Sequence, residues 1–166
     1  MLHYAVLLRV ADVVSLRYEP GHLFSDLASH LRTLVPLDLI NLARVDSSRN
    51  IMKADMWSGA ESPCEPLEVA AEESAVGSVW LNQAILCIDD LSKERRFEAE
   101  LRWLRDHEIR YYCVLPLTNF HEKLGALGFG SKQPHAFRGQ DIQFLQRVTE
   151  LVALCVDPIL DDTTLV

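Results

Sequence analysis

Residues 109–132, IRYYCVLPLTNFHEKLGALGFGSK, constrain this chain more than any other segment, because they read as two apolar strands around a short polar turn. From Tyr111 to Leu117 nearly every residue is apolar or aromatic, a pattern that a strand carries only when both of its faces are covered. Residues 119–123 supply the turn. In the second run Gly125, Leu127 and Phe129 fall on one face and Ala126, Gly128 and Gly130 on the other, so one side of that strand is nearly bare backbone. Such a surface implies a very close neighbour, either a helix lying directly on the sheet or a bound ligand.

The rest of the chain supplies further strands and the helices to cover them. An apolar helix runs to about Arg17 and breaks at Glu19-Pro20-Gly21; a second, about 22–34, carries Leu23, Leu27, Leu31 and Leu34 on one stripe. Residues 37–45 and 51–57 read as a hairpin around a turn at 46–50, with 59–66 as loop. Ser74 can cap a short helix bearing Val76, Val79 and Trp80, and 84–88 is a brief strand ending in the turn Asp89-Asp90-Leu91. Phe97, Leu101 and Leu104 mark another amphipathic helix, and a long helix of about 139–156 closes the chain. This order predicts one α+β domain over residues 1–166, built on a single antiparallel sheet.

Charge narrows the partners. The formal net charge is -8, with 24 acidic against 16 basic residues, and no basic block interrupts it; direct contact with nucleic acid is not expected. Arg95, Arg96, Arg102 and Arg105 alternate with acidic residues, as on a solvated helix face. The apolar run at 5–8 is broken by Arg9, Asp12 and Arg17, too soon for a membrane span or a signal-peptide core, and a cytoplasmic location is expected. Cys64, Cys87, Cys113 and Cys155 show no C-x-x-C pair and no zinc-ligand spacing, so they read as reduced thiols, the last three as small hydrophobes in apolar runs.

No catalytic constellation stands out. Residues 125–132, GALGFGSK, miss a phosphate-binding loop by one position, and the run reads as strand. The histidines fall singly, and Asp89 and Asp90, being adjacent, point apart and suit a turn. No enzyme activity, cofactor or metal is therefore expected.

Four segments in order carry a family resemblance: EESAVGSVWLNQ at 72–83, ILCIDDL at 85–91, the 109–132 strand pair, and F-x-x-x-D-I-x-F-L at 137–145 followed by VTELVALCVD. Over about residues 20–157 the chain resembles a GAF domain, in particular the N-terminal sensory GAF domains of sigma-54-dependent transcriptional activators of the formate hydrogenlyase activator type. The resemblance implies a six-stranded antiparallel sheet, with terminal helices on one face and a ligand pocket on the other beneath short helices and loops. Of the cyclic-nucleotide signature N-K-x(n)-F-x-x-x-D-E, Lys132, Phe137 and Asp141 match, while Ser131 and Ile142 depart from it. The economical use of the match is a Lys132–Asp141 ion pair bracing the last helix. The cysteine spacing does not resemble that of the free-methionine-sulfoxide reductases of this family, and iron binding would have to draw on Asp89, Asp90 and Cys113.

These readings together imply a sensory, regulatory module that binds a small-molecule effector and acts through ATPase and DNA-binding domains elsewhere in a longer chain. The expected effector site joins Trp57, Val76, Trp80, Leu104, Tyr112, Val114 and Pro116, with both indoles supplying flat apolar contact; Trp80 as a plain core plug is the competing use. A homodimer through the terminal helices is expected from Val10 and Val14 on the first and from Phe144, Val148, Leu151 and Cys155, a second apolar stripe, on the last. The rival functions are a dimerisation scaffold with a self-filled pocket and a redox or metal-dependent enzyme.

Overall fold

Two hairpins set the frame of this computed structural model, which describes residues 2–15, 20–57, 66–119 and 122–164 and, of these, leaves out the side chains of 2–4, 12–15, 20–23 and 155–164. Strands β1 (Leu39–Asp46) and β2 (Ile51–Trp57) meet at a turn where the Ser48 hydroxyl donates to Asp46 Oδ1 at 2.7 Å. Asn50 takes a φ of 53° there, in the left-handed region that asparagine tolerates. Four further strands complete the sheet: β3 (Leu67–Ala70), β4 (Leu86–Ile88), β5 (Tyr111–Thr118) and β6 (Lys123–Ser131). The order is β3-β2-β1-β6-β5-β4 with every pairing antiparallel, the six-stranded sheet that the resemblance implied.

Helices cover both faces. On the proximal face lie α1 (Leu2–Ser15), α2 (Pro20–Leu31) and α5 (Gly139–Thr164), packed on Ile40, Leu42, Cys113, Leu115, Leu127 and Phe129. Over the distal face lie α3 (Ala75–Asn82) and α4 (Glu98–Asp106), with single 3-10 turns at 71–73 and 91–93, on Leu39, Ala43, Met52, Ala54, Val114 and Ala126. The alternation along each strand sends neighbours to opposite cores, which is why β5 and β6 carry almost no polar residue.

Three local expectations change. The second helix, α2, starts at Pro20 rather than about residue 22, since a first-turn proline gives up no hydrogen bond. Strand β3 had no sequence signal; its four residues become a strand because Met52 and Lys53 of β2 face Val69 and Glu68 in register. Lys132 and Asp141 do not pair. Lys132 Nζ lies 3.7 Å from Glu108 Oε2, and Asp141, at the third position of α5, reaches back to accept the Arg138 backbone N–H at 2.8 Å, satisfying a donor that the helix start leaves open.

The expected dimer stripe also resolves differently. Val10, Phe144 and Val148 are buried within the domain, because α5 packs against β5 and β6 on one side and against α1 on the other and so uses both of its apolar stripes. Among the expected α5 residues whose side chains are described, Leu151 alone stays partly open, in a groove that it shares with Leu7 and with Leu154, which is 68% exposed. The side chains of Val14 and Cys155 lie outside the described residues.

A charge at Val148 would therefore sit in the monomer core. Val148→Glu should cost at least about 3 kcal/mol and leave little folded protein. Leu154→Glu should stay within about 0.5 kcal/mol of the parent. Urea denaturation followed by circular dichroism separates the two.

Candidate functional site

On the distal face an apolar layer holds three buried polar side chains, Asn41 of β1, Tyr112 of β5 and Glu100 of α4. Strand β6 runs between β1 and β5, and Asn41 is registered with Gly128. The Asn41 amide nitrogen donates to the Tyr112 hydroxyl, 2.5 Å away, across the top of β6. A Cβ at Gly128 would overlap Asn41 Oδ1 and lie 2.8 Å from the Tyr112 ring. The bare strand surface thus makes room for two side chains from its neighbours, and at Gly128 Asn41 and Tyr112 provide the close contact. Asn41 Oδ1 is itself buried without a hydrogen-bond partner.

Glu100 ties this layer to α3. Its carboxylate oxygens accept the backbone N–H groups of Ala75 at 3.0 Å and Val76 at 3.3 Å, while Ser74 Oγ accepts that of Gly77 at 3.0 Å. The first three amides of α3 are therefore satisfied by one cap and one carboxylate from another helix. Gly77 permits the geometry, since a Cβ there would overlap the Ala71 carbonyl. Burial pushes the Glu100 carboxyl up from 4.5 to about 7, against the two backbone donors that lower it. The Tyr112 hydroxyl is pushed well above its usual range by burial first and by the Glu100 charge second.

The expected site residues divide. Val76, Leu104, Tyr112 and Val114 meet in the distal core, each fully packed. Trp80 sits at its margin, half-buried, with Nε1 donating to the Lys123 carbonyl at 3.2 Å, so it fastens α3 to the start of β6. Pro116 is partly buried and lines a separate cavity of about 380 Å³ with Gln83 and Thr149. Trp57 does not join them. Its place in β2 turns it to the proximal face, where it stacks on Phe24 at a centroid distance of 4.4 Å and no acceptor meets its buried indole N–H. The two indoles thus lie on opposite sides of the sheet.

The open space on the distal side lies elsewhere, in a cavity of about 660 Å³ between β3 and the start of α4, lined by Val69, Glu73, Arg95, Phe97 and Arg102 among others. Phe97 precedes α4 with a φ of 57°, a left-handed conformation costly for a bulky residue, and the Arg96 guanidinium lies over its ring at 5.1 Å. Asp90 serves the turn expected of it, accepting the Ser92 backbone N–H at 3.0 Å. Among the described residues no group of three or more His, Cys, Asp or Glu side chains is placed to hold a metal ion, and no helix is long and apolar enough to cross a membrane.

Sequence reasoning missed Asn41 and Glu100. Both left a signal: Asn41 is a lone polar residue inside an apolar strand run, and Glu100 falls between Phe97 and Leu104 on the apolar stripe of its helix.

The GAF domain family profile matches residues 11–156. The chain belongs to the GAF domain family. Solved structures share its fold at low identity: the GAF domain of a phosphoenolpyruvate-protein phosphotransferase from Acinetobacter has a TM-score of 0.77 at 13% identity, covering 99% of this chain and 98% of that one. The GAF domain of a two-component sensor histidine kinase from Bacillus halodurans has a TM-score of 0.68 at 18% identity, covering 82% and 92%. A free methionine-R-sulfoxide reductase from Neisseria meningitidis, in complex with its substrate, has a TM-score of 0.72 at 14% identity, covering 96% and 91%. No curated protein sequence matches the chain significantly. GAF domains are sensory and regulatory small-molecule-binding domains, and some proteins of this fold are enzymes.

The raised Glu100 pKa has a definite consequence for stability. Between pH 4.5 and about 7 the unfolded chain has released a proton that the folded domain still holds, so stability present below pH 4.5 is lost as the pH rises through 7. The loss is about 3 kcal/mol, and Glu100→Gln should abolish that part of the pH profile. Urea titrations of both proteins at several pH values between 4.5 and 8 measure the difference directly. Gly128→Ala, which crowds Asn41 and Tyr112, should destabilise by about 1–3 kcal/mol in the same assay.

Proposed function

We propose that this GAF domain is a signal-transduction module in which a small polar effector binds on the distal side of the sheet, without chemical turnover, and changes the packing of α3 and α4. The observation that carries the reading is the cleared polar cluster. Gly128 gives up its side chain so that Asn41 and Tyr112 can meet, and Asn41 Oδ1 remains buried and unpaired. An unpaired buried amide oxygen costs about 1–3 kcal/mol, which a purely structural layer could avoid with an apolar residue. A donor group on an effector would satisfy it.

The entry point in this reading is the cavity between β3 and α4, whose mixed arginine and glutamate lining suits a polar molecule and whose Val69 belongs to the same core as Tyr112. The strained backbone at Phe97 places a point of easy rearrangement at its mouth. A change there has a direct route to the terminal helices, since Tyr112 faces the distal core while Tyr111 and Cys113, on either side of it in β5, face α5. In the finer reading the output is control of sigma-54-dependent transcription through ATPase and DNA-binding domains of a longer chain in the cytoplasm. The paired form would use the outer surface of α1 and α5, where a groove of about 690 Å³ runs past Leu7, Leu151 and Leu154.

One observation favours the rival scaffold reading: Val76, Leu104, Tyr112 and Val114 leave no open space among themselves. The Asn41→Leu variant separates the two, because leucine matches asparagine in shape and removes both polar atoms of the amide. Under the sensory reading, a metabolite library contains compounds that raise the melting temperature of the parent, by the equivalent of about 2.7 kcal/mol at a hundredfold excess over Kd, and none that raises that of the variant. Native mass spectrometry of freshly purified protein provides the second measurement. An unliganded mass, no shift with any compound and a variant more stable than the parent would establish the scaffold instead.

A further inference from the structure

The register of the sheet edge places two cysteines together that lie 26 positions apart in sequence. Cys87, the middle residue of the edge strand β4, is directly opposite Cys113 of β5. Their Sγ atoms are 3.1 Å apart. Directly opposed residues of an antiparallel pair have the Cβ separation that a disulfide can span with small adjustment. The two sites are unequal: Cys87 is exposed, whereas Cys113 is wholly buried in the proximal core. We propose that Cys87 and Cys113 form a reversible thiol–disulfide pair, in which solvent-facing Cys87 takes the first oxidation by a hydroperoxide and Cys113 resolves it across the strands.

The oxidation needs only the hydroperoxide, and the return a dithiol reductant. The Cys87 thiolate attacks the terminal oxygen of a hydroperoxide; the S–O bond forms as the O–O bond breaks, and the departing alkoxide takes up a proton to leave as alcohol. The Cys113 thiol then attacks the Cys87 sulfur. The S–S bond forms as the S–O bond breaks, and the hydroxide leaves as water with the Cys113 proton. Two electrons pass from the thiols to the peroxide, and a dithiol reductant returns them. The surroundings favour this division of roles. Hydrogen bonds from Cys113 and then from Tyr111 hold the Cys87 thiol down to about 7, from an ordinary 9.0, against burial and the Asp89 charge. Cys113 is pushed upward by its bond to Cys87 and by burial.

The bond would have a structural effect beyond the edge. The loop it closes, 87–113, contains the 3-10 turn at 91–93 and all of α4, including Glu100, so oxidation would tether the helix that covers the distal site. This holds whether or not that site binds an effector.

Treatment of the folded protein with one equivalent of hydrogen peroxide, followed by alkylation and non-reducing peptide mapping, tests the pair. The expected product is a Cys87–Cys113 linked peptide lighter by two hydrogens, restored to free thiols by dithiothreitol. In Cys113→Ser a 1,3-diketone probe should label Cys87 as sulfenic acid, and in Cys87→Ser the loss of the Cys113 thiol should be roughly tenfold or more slower. Linkage of Cys87 to Cys64 or Cys155, oxidation of Cys87 to sulfinic acid with no cross-link in the parent, or equal reactivity of Cys113 once Cys87 is removed would overturn the proposal. The mapping of the parent decides the matter even where a variant does not fold.

Discussion

The distal half of this domain depends on the absence of a side chain at Gly128. Strand β6 occupies the middle of the sheet, and its bare surface allows Asn41 and Tyr112 to close over it from either side. Any Cβ there would separate the pair and lift Tyr112 toward the layer that α3 and α4 press upon. Removing side chains from a strand weakens it, because glycine has more backbone freedom to lose. The sheet tolerates this because β6 is paired along both edges and covered on both faces.

Above that surface the position of α3 rests on a carboxylate from a different helix. Glu100 satisfies the first two amides of α3, and Ser74 the third, so α3 and α4 are held together at one buried point. The arrangement sets two effects against each other. The donors favour the ionised form, burial favours the neutral one, and burial wins far enough to place the titration near neutrality. A helix contact of that kind is well suited to respond to what occupies its neighbourhood, since neither charge state is strongly preferred.

The two faces of the sheet differ in purpose because they differ in what they bury. The proximal core is apolar and continuous, built from α1, α2 and α5 against the strands, and it absorbs Val10, Phe144 and Val148 of the stripes that suggested an interface. The distal core is interrupted by polar groups and bordered by a cavity with charged walls. Adjacent residues of β5 belong to opposite cores, so the strand itself joins the side on which the effector site is proposed to the side that carries the terminal helices.

Local pattern was enough to locate most of the elements. Apolar periodicity marked the helices and the two hairpins, one of them the fully covered strand pair, because burial on one or two faces leaves a direct imprint on residue order. Strand β3 left no such imprint, since four residues at an edge are strands only by virtue of β2 beside them. What the sequence could not supply was which face each residue meets and which partner waits there. It placed Trp57 and Trp80 in one site, but the strand parity of β2 in the assembled sheet sends Trp57 to the opposite core. It paired Lys132 with Asp141 from a matching motif, yet the start of α5 had a nearer need for the carboxylate. Asn41, Glu100 and the Cys87–Cys113 contact depend on strand order, register and helix packing across long separations, and tertiary structure alone brings such groups within bonding distance.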